Sequence, residues 1–124
     1  MIGITFDTGA LIALERRHQR IKEIVERALA TDQSITVPAD VVGEWWRGRT
    51  DLRERILASL DIEPLTATLA KIAGEALAAV PGATLVDAIV MASAASRGDV
   101  VYSSDTKDLE ALRSHFPAVR VLRV

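Results

Sequence analysis

The sequence contains no cysteine and only two histidines, His18 and His115. The missing thiols exclude a disulfide framework and a thiolate zinc site, and two imidazoles alone do not make a zinc site. Any metal that the chain binds must therefore be held by oxygen ligands, for which Mg²⁺ and Mn²⁺ are the natural ions. The sequence also lacks a glycine-rich phosphate loop and a serine–histidine or cysteine–histidine catalytic pair.

Long hydrophobic runs and a strong net charge are missing as well. The most apolar region, residues 76–95, is interrupted by Pro81, Gly82 and Asp87, which indicates a buried segment rather than a membrane span. The first residues have no basic region of the kind found in signal peptides, so we expect a soluble, cytoplasmic protein. The formal net charge of −2 argues against a protein that coats nucleic acid by bulk electrostatics.

What the sequence does contain is an alternation of short β-branched runs with longer segments of helical period. Its length of 124 residues favours one domain, residues 1–124, with one core. The predicted strands are residues 2–6, 34–37, a short strand around 62, 100–103 and 119–124. The predicted helices are residues 8–14, 19–30, 38–48, 51–60, 66–80, 84–96 and 106–115. This order predicts an α/β fold of βα units around a parallel sheet.

The alternation places four acidic residues where they can share one site: Asp7, Glu44, Asp87 and Asp105. Asp7 and Asp105 lie just past strands, and ligands of open parallel sheets bind outside the carboxyl ends of the strands. The first turns of the following helices border the same edge. Carboxylates gathered there would repel one another unless they were protonated or neutralised by a cation. A divalent cation supplies that charge, and it can also activate water for an in-line displacement at phosphorus.

Three of these acids have structural alternatives, which weigh about evenly for Asp7 and are favoured for Glu44 taken by itself. Asp7 and Asp105 suit helix N-caps, with Asp108 in the first turn of the last helix. Glu44 could simply pair with Arg47 on the same helix.

Asp87 has the weakest structural alternative. The sequence around it is apolar almost all round, and the nearest basic residue along the chain is Arg97. An ionised carboxylate near the core is costly unless a cation neutralises it. A functional role is therefore favoured for Asp87.

Taken in order, the four acidic segments resemble the motifs of the PIN-domain family, and within it the VapC-type toxins of bacterial toxin–antitoxin pairs. The matching segments are residues 6–14, 37–44, 85–89 and 103–109. They span nearly the whole chain. One departure is Gly9, where many members of the family have a serine or an asparagine.

The resemblance implies a three-layer α/β/α sandwich with a mostly parallel sheet, and a Mg²⁺- or Mn²⁺-dependent endoribonuclease that hydrolyses RNA phosphodiester bonds. It further implies a protein antitoxin as partner, and we expect a homodimer or a complex with that antitoxin. The metal-binding and catalytic acids carried over by the resemblance are Asp7, Glu44, Asp87 and Asp105. Ser103 becomes a residue that positions water or phosphate, and Asp108 a lesser candidate for the metal site.

An aromatic and basic cluster follows Glu44. Arg47 and Arg49 are the candidates for contacts with RNA phosphates, because arginine binds phosphate with a planar fork. For Trp45 and Trp46 we expect one side chain in the core and the other in a dimer or antitoxin interface, where tryptophan is enriched. Stacking on an unpaired RNA base is the alternative.

Two other functional classes compete with the nuclease interpretation. A phosphoacceptor domain of receiver type has a similar length and βα rhythm, but it needs adjacent acids after the first strand, and Asp7 stands alone there. A non-catalytic PIN-like module that binds RNA or protein is the stronger rival. The complete set of four acids argues against it.

Overall fold

Short runs rich in β-branched residues form a five-stranded sheet in the computed structural model, which describes residues 2–124. The strands are β1 (Ile4–Phe6), β2 (Ile35–Pro38), β3 (Asp61–Glu63), β4 (Val100–Ser103) and β5 (Val121–Arg123). Their order in the sheet is β3-β2-β1-β4-β5, and all four neighbouring pairs are parallel. The predicted α/β class and parallel sheet are confirmed.

Helices connect the strands, and several begin at a threonine that caps them. The helices are α1 (Thr8–Glu15), α2 (Gln19–Ala30), α3 (Ala39–Trp45), α4 (Asp51–Ala58), α5 (Ala67–Ala79), α6 (Leu85–Arg97) and α7 (Lys107–Ala111). The Thr84 hydroxyl accepts a hydrogen bond from the Asp87 N–H at 3.2 Å, and Gly98 ends α6 with φ of 74°, as the sequence predicts. Within residues 2–124, no helix combines the length and the apolar character needed to cross a membrane.

The helices lie on both faces of the sheet. Alternate side chains of a strand point to opposite faces. On one face, Ile4 and Tyr102 line a cavity together with Ile24 of α2. On the other face, the Thr5 hydroxyl accepts a hydrogen bond from Arg97 at the end of α6. The three-layer α/β/α arrangement is therefore confirmed.

A polar network around the buried Asp99 fixes the end of α6 against the sheet. The Arg97 guanidinium donates to Asp99 at 2.9 Å, to the Thr5 hydroxyl at 2.9 Å and to the Ser93 hydroxyl at 2.8 Å. It also pairs with Glu63 at the end of β3. Asp99, which is 6% exposed, has its charge compensated in this way.

The strand order determines where a ligand can bind. The chain leaves the central strand β1 for β2 on one side, and β4 later joins the other side of β1. In parallel sheets, the crevice for ligands opens where the chain changes direction in this manner, at the carboxyl ends of the two strands. Asp7 follows β1 and Asp105 follows β4.

Several element ends differ from the prediction. Helix α3 ends at Trp45 instead of Gly48, because the backbone of Trp46 turns to an extended conformation; Arg53 then holds the following loop through the Gly48 carbonyl. The predicted helix 106–115 divides into α7 and a 3₁₀ turn (Leu112–Ser114). The first and last strands are each shorter than predicted, at Ile4–Phe6 and Val121–Arg123.

Candidate active site

Asp7 lies at the centre of the sheet edge, between β1 and α1. Its Oδ1 accepts a hydrogen bond from the Ala10 N–H at 2.9 Å, so the alternative of a helix cap is confirmed for this residue. The residue is only 7% exposed. Burial raises the pKa of Asp7 from 3.8 to about 6; the negative charge of Asp87 adds to the rise, and the Ser103 hydroxyl and the Ala10 N–H oppose it. Asp7 is thus a cap whose charge is poorly solvated.

Glu44 is brought to the same edge by α3. Its Oε1 accepts a hydrogen bond from the Thr8 hydroxyl, which ties α3 to the residue directly after Asp7. The side chain is exposed. An ion pair between Glu44 and Arg47, the structural alternative for this acid, does not form within residues 2–124. Thr8 was not anticipated as the partner of Glu44.

Asp87 lies in the first turn of α6 and is half-buried rather than enclosed in the core. Burial is the largest cause that raises its pKa, whereas the hydrogen bond with Thr84 lowers it. The charges of Asp108, Glu44 and Asp105, in that order, raise it further. Asp87 is therefore surrounded by negative charge. Asp108, the lesser candidate from the sequence, has the strongest of these three effects.

The turn after β4 holds Asp105 through Ser103. The buried Ser103 hydroxyl accepts a hydrogen bond from the Asp105 N–H at 3.0 Å and donates to the Asp105 carbonyl at 2.8 Å. The exposed Asp105 side chain accepts from the Lys107 N–H at 3.3 Å. Asp105 is not the N-cap of α7, because Thr106 occupies that position. The Ser103 hydroxyl thus shapes the turn and also lies near enough to Asp7 to lower its pKa.

The acids of this edge are not neutralised by basic side chains. Five acids lie here: Asp7, Glu44, Asp87, Asp105 and Asp108. Within residues 2–124, none of the five forms an ion pair with lysine or arginine. Their oxygen donors suit a hard divalent cation, which would offset the repulsion around Asp87. In the described part of the chain, however, no three such side chains lie close enough together to hold an ion as they stand. The acids share an edge without forming a closed set of ligands.

The two tryptophans after Glu44 have different environments. Trp45 is 4% exposed and donates through its indole N–H to Glu15 at 3.0 Å. Arg53 forms an ion pair with the same carboxylate at 2.9 Å. Trp46 is half-buried and packs edge-on against Trp45. The expectation that one tryptophan lies in the core is confirmed for Trp45; an interface role for Trp46 stays a prediction.

The two arginines proposed for RNA contacts also differ. Arg49 forms an exposed ion pair with Asp51 at 3.2 Å. Arg47 is exposed and donates only to the neighbouring Trp46 carbonyl among residues 2–124. It lines an open cleft of about 390 Å³ together with Glu44. Arg47 is therefore the better placed of the two for a phosphate near the acids.

Sequence reasoning missed Asp40, one helical turn before Glu44 on α3. Both carboxylate oxygens of Asp40 are shielded from solvent and have no hydrogen-bond partner within residues 2–124. Burial raises its pKa; the N–H groups of Asp40 and Val41 point toward the carboxylate without reaching hydrogen-bond geometry and lower it, and the charge of Glu44 raises it. The spacing of four residues from Glu44 was the available signal.

Comparisons with known proteins place this arrangement among known folds. A family model described as PIN domain matches residues 4–113. Among curated proteins, none has a sequence that matches the chain significantly.

Solved structures match over nearly the full length of both chains. VapBC2 from Rickettsia felis, bound to a promoter DNA fragment, has 14% identity and a TM-score of 0.78, with 100% of this chain and 99% of that chain covered. DNA-bound VapBC from Salmonella typhimurium has 19% identity and a TM-score of 0.72, with 99% and 98% covered. A toxin–antitoxin complex from Klebsiella pneumoniae has 20% identity and a TM-score of 0.68, with 97% and 96% covered. At these identities the likeness concerns the fold.

Proposed function

This chain belongs to the PIN-domain family, and we propose that it is a metal-dependent endoribonuclease that acts as the toxin of a toxin–antitoxin pair. The substrate is RNA, and the reaction is hydrolysis of phosphodiester bonds at the edge where β1 and β4 end. The proposal rests on the carboxylates at that edge. Its toxin part is supported by the structural likeness to chains from VapBC and other toxin–antitoxin complexes.

The observation that carries the proposal is the charge environment of Asp87. Burial and three neighbouring acids all raise its pKa, and Asp7 is buried close enough to be affected by Asp87 in turn. A fold gains nothing from gathering unneutralised acids in this way, because each added negative charge makes ionisation of the others less favourable. Clusters of unneutralised acids with raised pKa values are therefore typical of sites that bind a cation or transfer protons.

The residues that would hold Mg²⁺ or Mn²⁺ are Asp7, Glu44, Asp87 and Asp105, with Asp108 beside them. Because their donors are all carboxylate oxygens, they fit these ions better than zinc or copper. When bound, such an ion supplies an activated water molecule and stabilises charge on the phosphate.

The protein groups supply position around that chemistry. Asp7 is held rigidly by its hydrogen bond to the Ala10 N–H, and Glu44 by the Thr8 hydroxyl. Ser103 fixes the turn that carries Asp105 and is the group that orients water or phosphate next to Asp7. Water would form a bond to phosphorus while the bond to the 3′-oxygen breaks and that oxygen takes up a proton, so the expected products carry a 5′-phosphate and a 3′-hydroxyl.

Binding of RNA and of the antitoxin would use the surface beside the acids. Arg47 lines the cleft next to Glu44, where its guanidinium is available for a phosphate. Arg49 is a weaker candidate, since Asp51 already pairs with it. An antitoxin that inhibits the enzyme would cover the same acids. We expect a homodimer or a complex with that antitoxin.

Expression in a bacterium tests the function. Wild-type protein should arrest growth, because an unrestrained ribonuclease attacks essential RNA. The variants Asp7→Asn, Asp87→Asn and Asp105→Asn should each relieve the arrest, because they weaken metal binding at nearly constant side-chain volume. A matched control is Asp32→Asn, which changes an exposed acid on the loop after α2. If all three site variants stay as toxic as wild type at equal protein level, the assignment of these acids is wrong. A wild type that binds RNA without cleaving it would instead identify a non-catalytic module.

A further inference from the structure

The side chain of Ser104 occupies the place that a side chain at position 9 would take. Gly9 lies in the first turn of α1, two residues after Asp7. A Cβ atom built on Gly9 would lie 2.5 Å from the Ser104 Oγ and 3.2 Å from the Ser104 backbone nitrogen. A contact of 2.5 Å essentially never occurs for a real Cβ atom, and one of 3.2 Å is tighter than most. Any larger residue at position 9 would therefore displace the Ser104 hydroxyl.

The glycine is required here for space and not for backbone conformation. Gly9 is part of a regular helix, whereas the positive φ angles in the described chain occur elsewhere. Glycine favours a helix less than alanine does, because its backbone loses more conformational freedom on folding. The sequence therefore carries a destabilising residue at a position where its one local effect is to admit the Ser104 side chain.

The hydroxyl that is admitted lies beside the buried acid. The Cβ position built on Gly9, which lies 2.5 Å from the Ser104 Oγ, also lies 3.4 Å from the Asp7 Oδ1. Among residues 2–124, the Ser104 Oγ has no hydrogen-bond partner, unlike the neighbouring Ser103 hydroxyl, which is engaged by the Asp105 backbone. Ser104 is half-buried, and its hydroxyl is thus free to contact a ligand at Asp7.

We propose that Ser104 is a positioning residue of this site, whose hydroxyl reaches across Gly9 and holds a water molecule that orients the Asp7 carboxylate as a metal ligand. This inference rests on the proposed metal-dependent hydrolysis. It adds a second hydroxyl beside Asp7 to that of Ser103, which shapes the turn and orients water or phosphate from the inner side. If Ser104 served only to fill space, its hydroxyl group would not affect metal binding.

The deciding experiment is calorimetric titration of Mn²⁺ into wild type and Ser104→Ala. We expect affinity to be about 10-fold weaker in the variant, since groups that support metal ligands typically contribute about 10- to 100-fold. The melting temperature in EDTA should stay unchanged, which a packing role would not allow. Ser114→Ala, in the exposed 3₁₀ turn, serves as the control. Equal Mn²⁺ affinity of Ser104→Ala and wild type overturns the inference.

A double-mutant cycle locates the effect at Gly9. Gly9→Ala should weaken Mn²⁺ binding as much as Ser104→Ala, because it pushes the same hydroxyl away, and combining the two should add little. Gly9→Ser in the Ser104→Ala background should recover part of the loss by returning a hydroxyl to this space. If the losses in Mn²⁺ affinity of the two single variants added fully in the double variant, the two substitutions would not act through the same hydroxyl. These titrations need no RNA, so a wild type that fails to cleave RNA would refute the nuclease proposal without deciding the role of Ser104.

Discussion

Replacing Asp7 with asparagine should make the metal-free protein more stable near neutral pH, although it removes a central acid of the site. Burial raises the pKa of Asp7 from 3.8 to about 6. One pKa unit corresponds to about 1.4 kcal/mol, so the ionised carboxylate opposes folding by about 3 kcal/mol. Asparagine keeps an oxygen that can accept from the Ala10 N–H, and it is as good an N-cap as aspartate. The helix cap is therefore retained while the buried charge is lost.

The gain should depend on pH in one direction. Because the folded-state pKa of Asp7 lies above the unfolded-state value, the folded protein binds more protons between the two values, and stability falls as pH rises through that window. Below about pH 4 both states carry a neutral Asp7, and the two proteins should be nearly equally stable. Above about pH 7 the full difference should be present.

Thermal melts of wild type and Asp7→Asn in EDTA, from about pH 4 to about pH 7.5, measure this difference. The gap in melting temperature should widen with pH to about 10 °C for a domain of this size. Comparing the two proteins cancels the titration of the carboxylates that do not interact with Asp7; among the acids of the site, Asp87 does interact with it. Mg²⁺ should narrow or reverse the gap, because it stabilises only the folded wild type. A gap that does not change with pH, or a variant that melts lower than wild type at neutral pH in EDTA, would show that the ionised Asp7 carboxylate does not oppose folding.

Three further outcomes are expected. Asp87→Asn should also be more stable than wild type in EDTA near neutral pH, since burial and neighbouring acids raise the pKa of Asp87, and it should lose RNA cleavage; lower stability in EDTA would identify a satisfied structural carboxylate. Arg47→Ala should weaken RNA cleavage and flatten its salt dependence, with a smaller effect for Arg49→Ala; two unchanged salt profiles would move this cluster to a protein interface. Arg97→Ala should lower the free energy of unfolding by about 3–5 kcal/mol in denaturant titrations, because it leaves the buried Asp99 carboxylate without its ion pair. Arg113→Ala, which removes the exposed pair with Glu110, should cost less than about 1 kcal/mol; equal losses would show that burial does not strengthen the Arg97 pair.

Hydrophobic periodicity predicted most of the fold. The bounds of α2 (Gln19–Ala30) and β4 (Val100–Ser103) match the prediction, because each has a clear period and a clear stop signal. Helix α3 was predicted to end at Gly48 but ends at Trp45. The buried Trp45 and the contact of Arg53 with the following loop decide where the backbone leaves the helix. Such contacts join segments that are distant in sequence, and local patterns carry no record of them.

The candidate site, like the fold, was predictable from the sequence only in part. The positions of Asp7 and Asp105 after adjacent strands were predictable, because parallel strands end at a common edge. The sequence around Asp87 suggested deeper burial than the half-buried position it has, because that acid faces the open edge of the sheet. The contact of Thr8 with Glu44 and the fit of Ser104 above Gly9 each depend on how two elements approach one another. Only the folded chain reveals these contacts.

The most direct test of the central proposal is analysis of the RNA ends made by the purified protein. Wild type, with Mg²⁺ or Mn²⁺, should cut single-stranded RNA and leave 5′-phosphate and 3′-hydroxyl ends. EDTA should stop the reaction, and Asp7→Asn should be inactive while still folded in its thermal melt. Cleavage that persists in EDTA and in Asp7→Asn, with 2′,3′-cyclic phosphate ends, would contradict hydrolysis at these carboxylates.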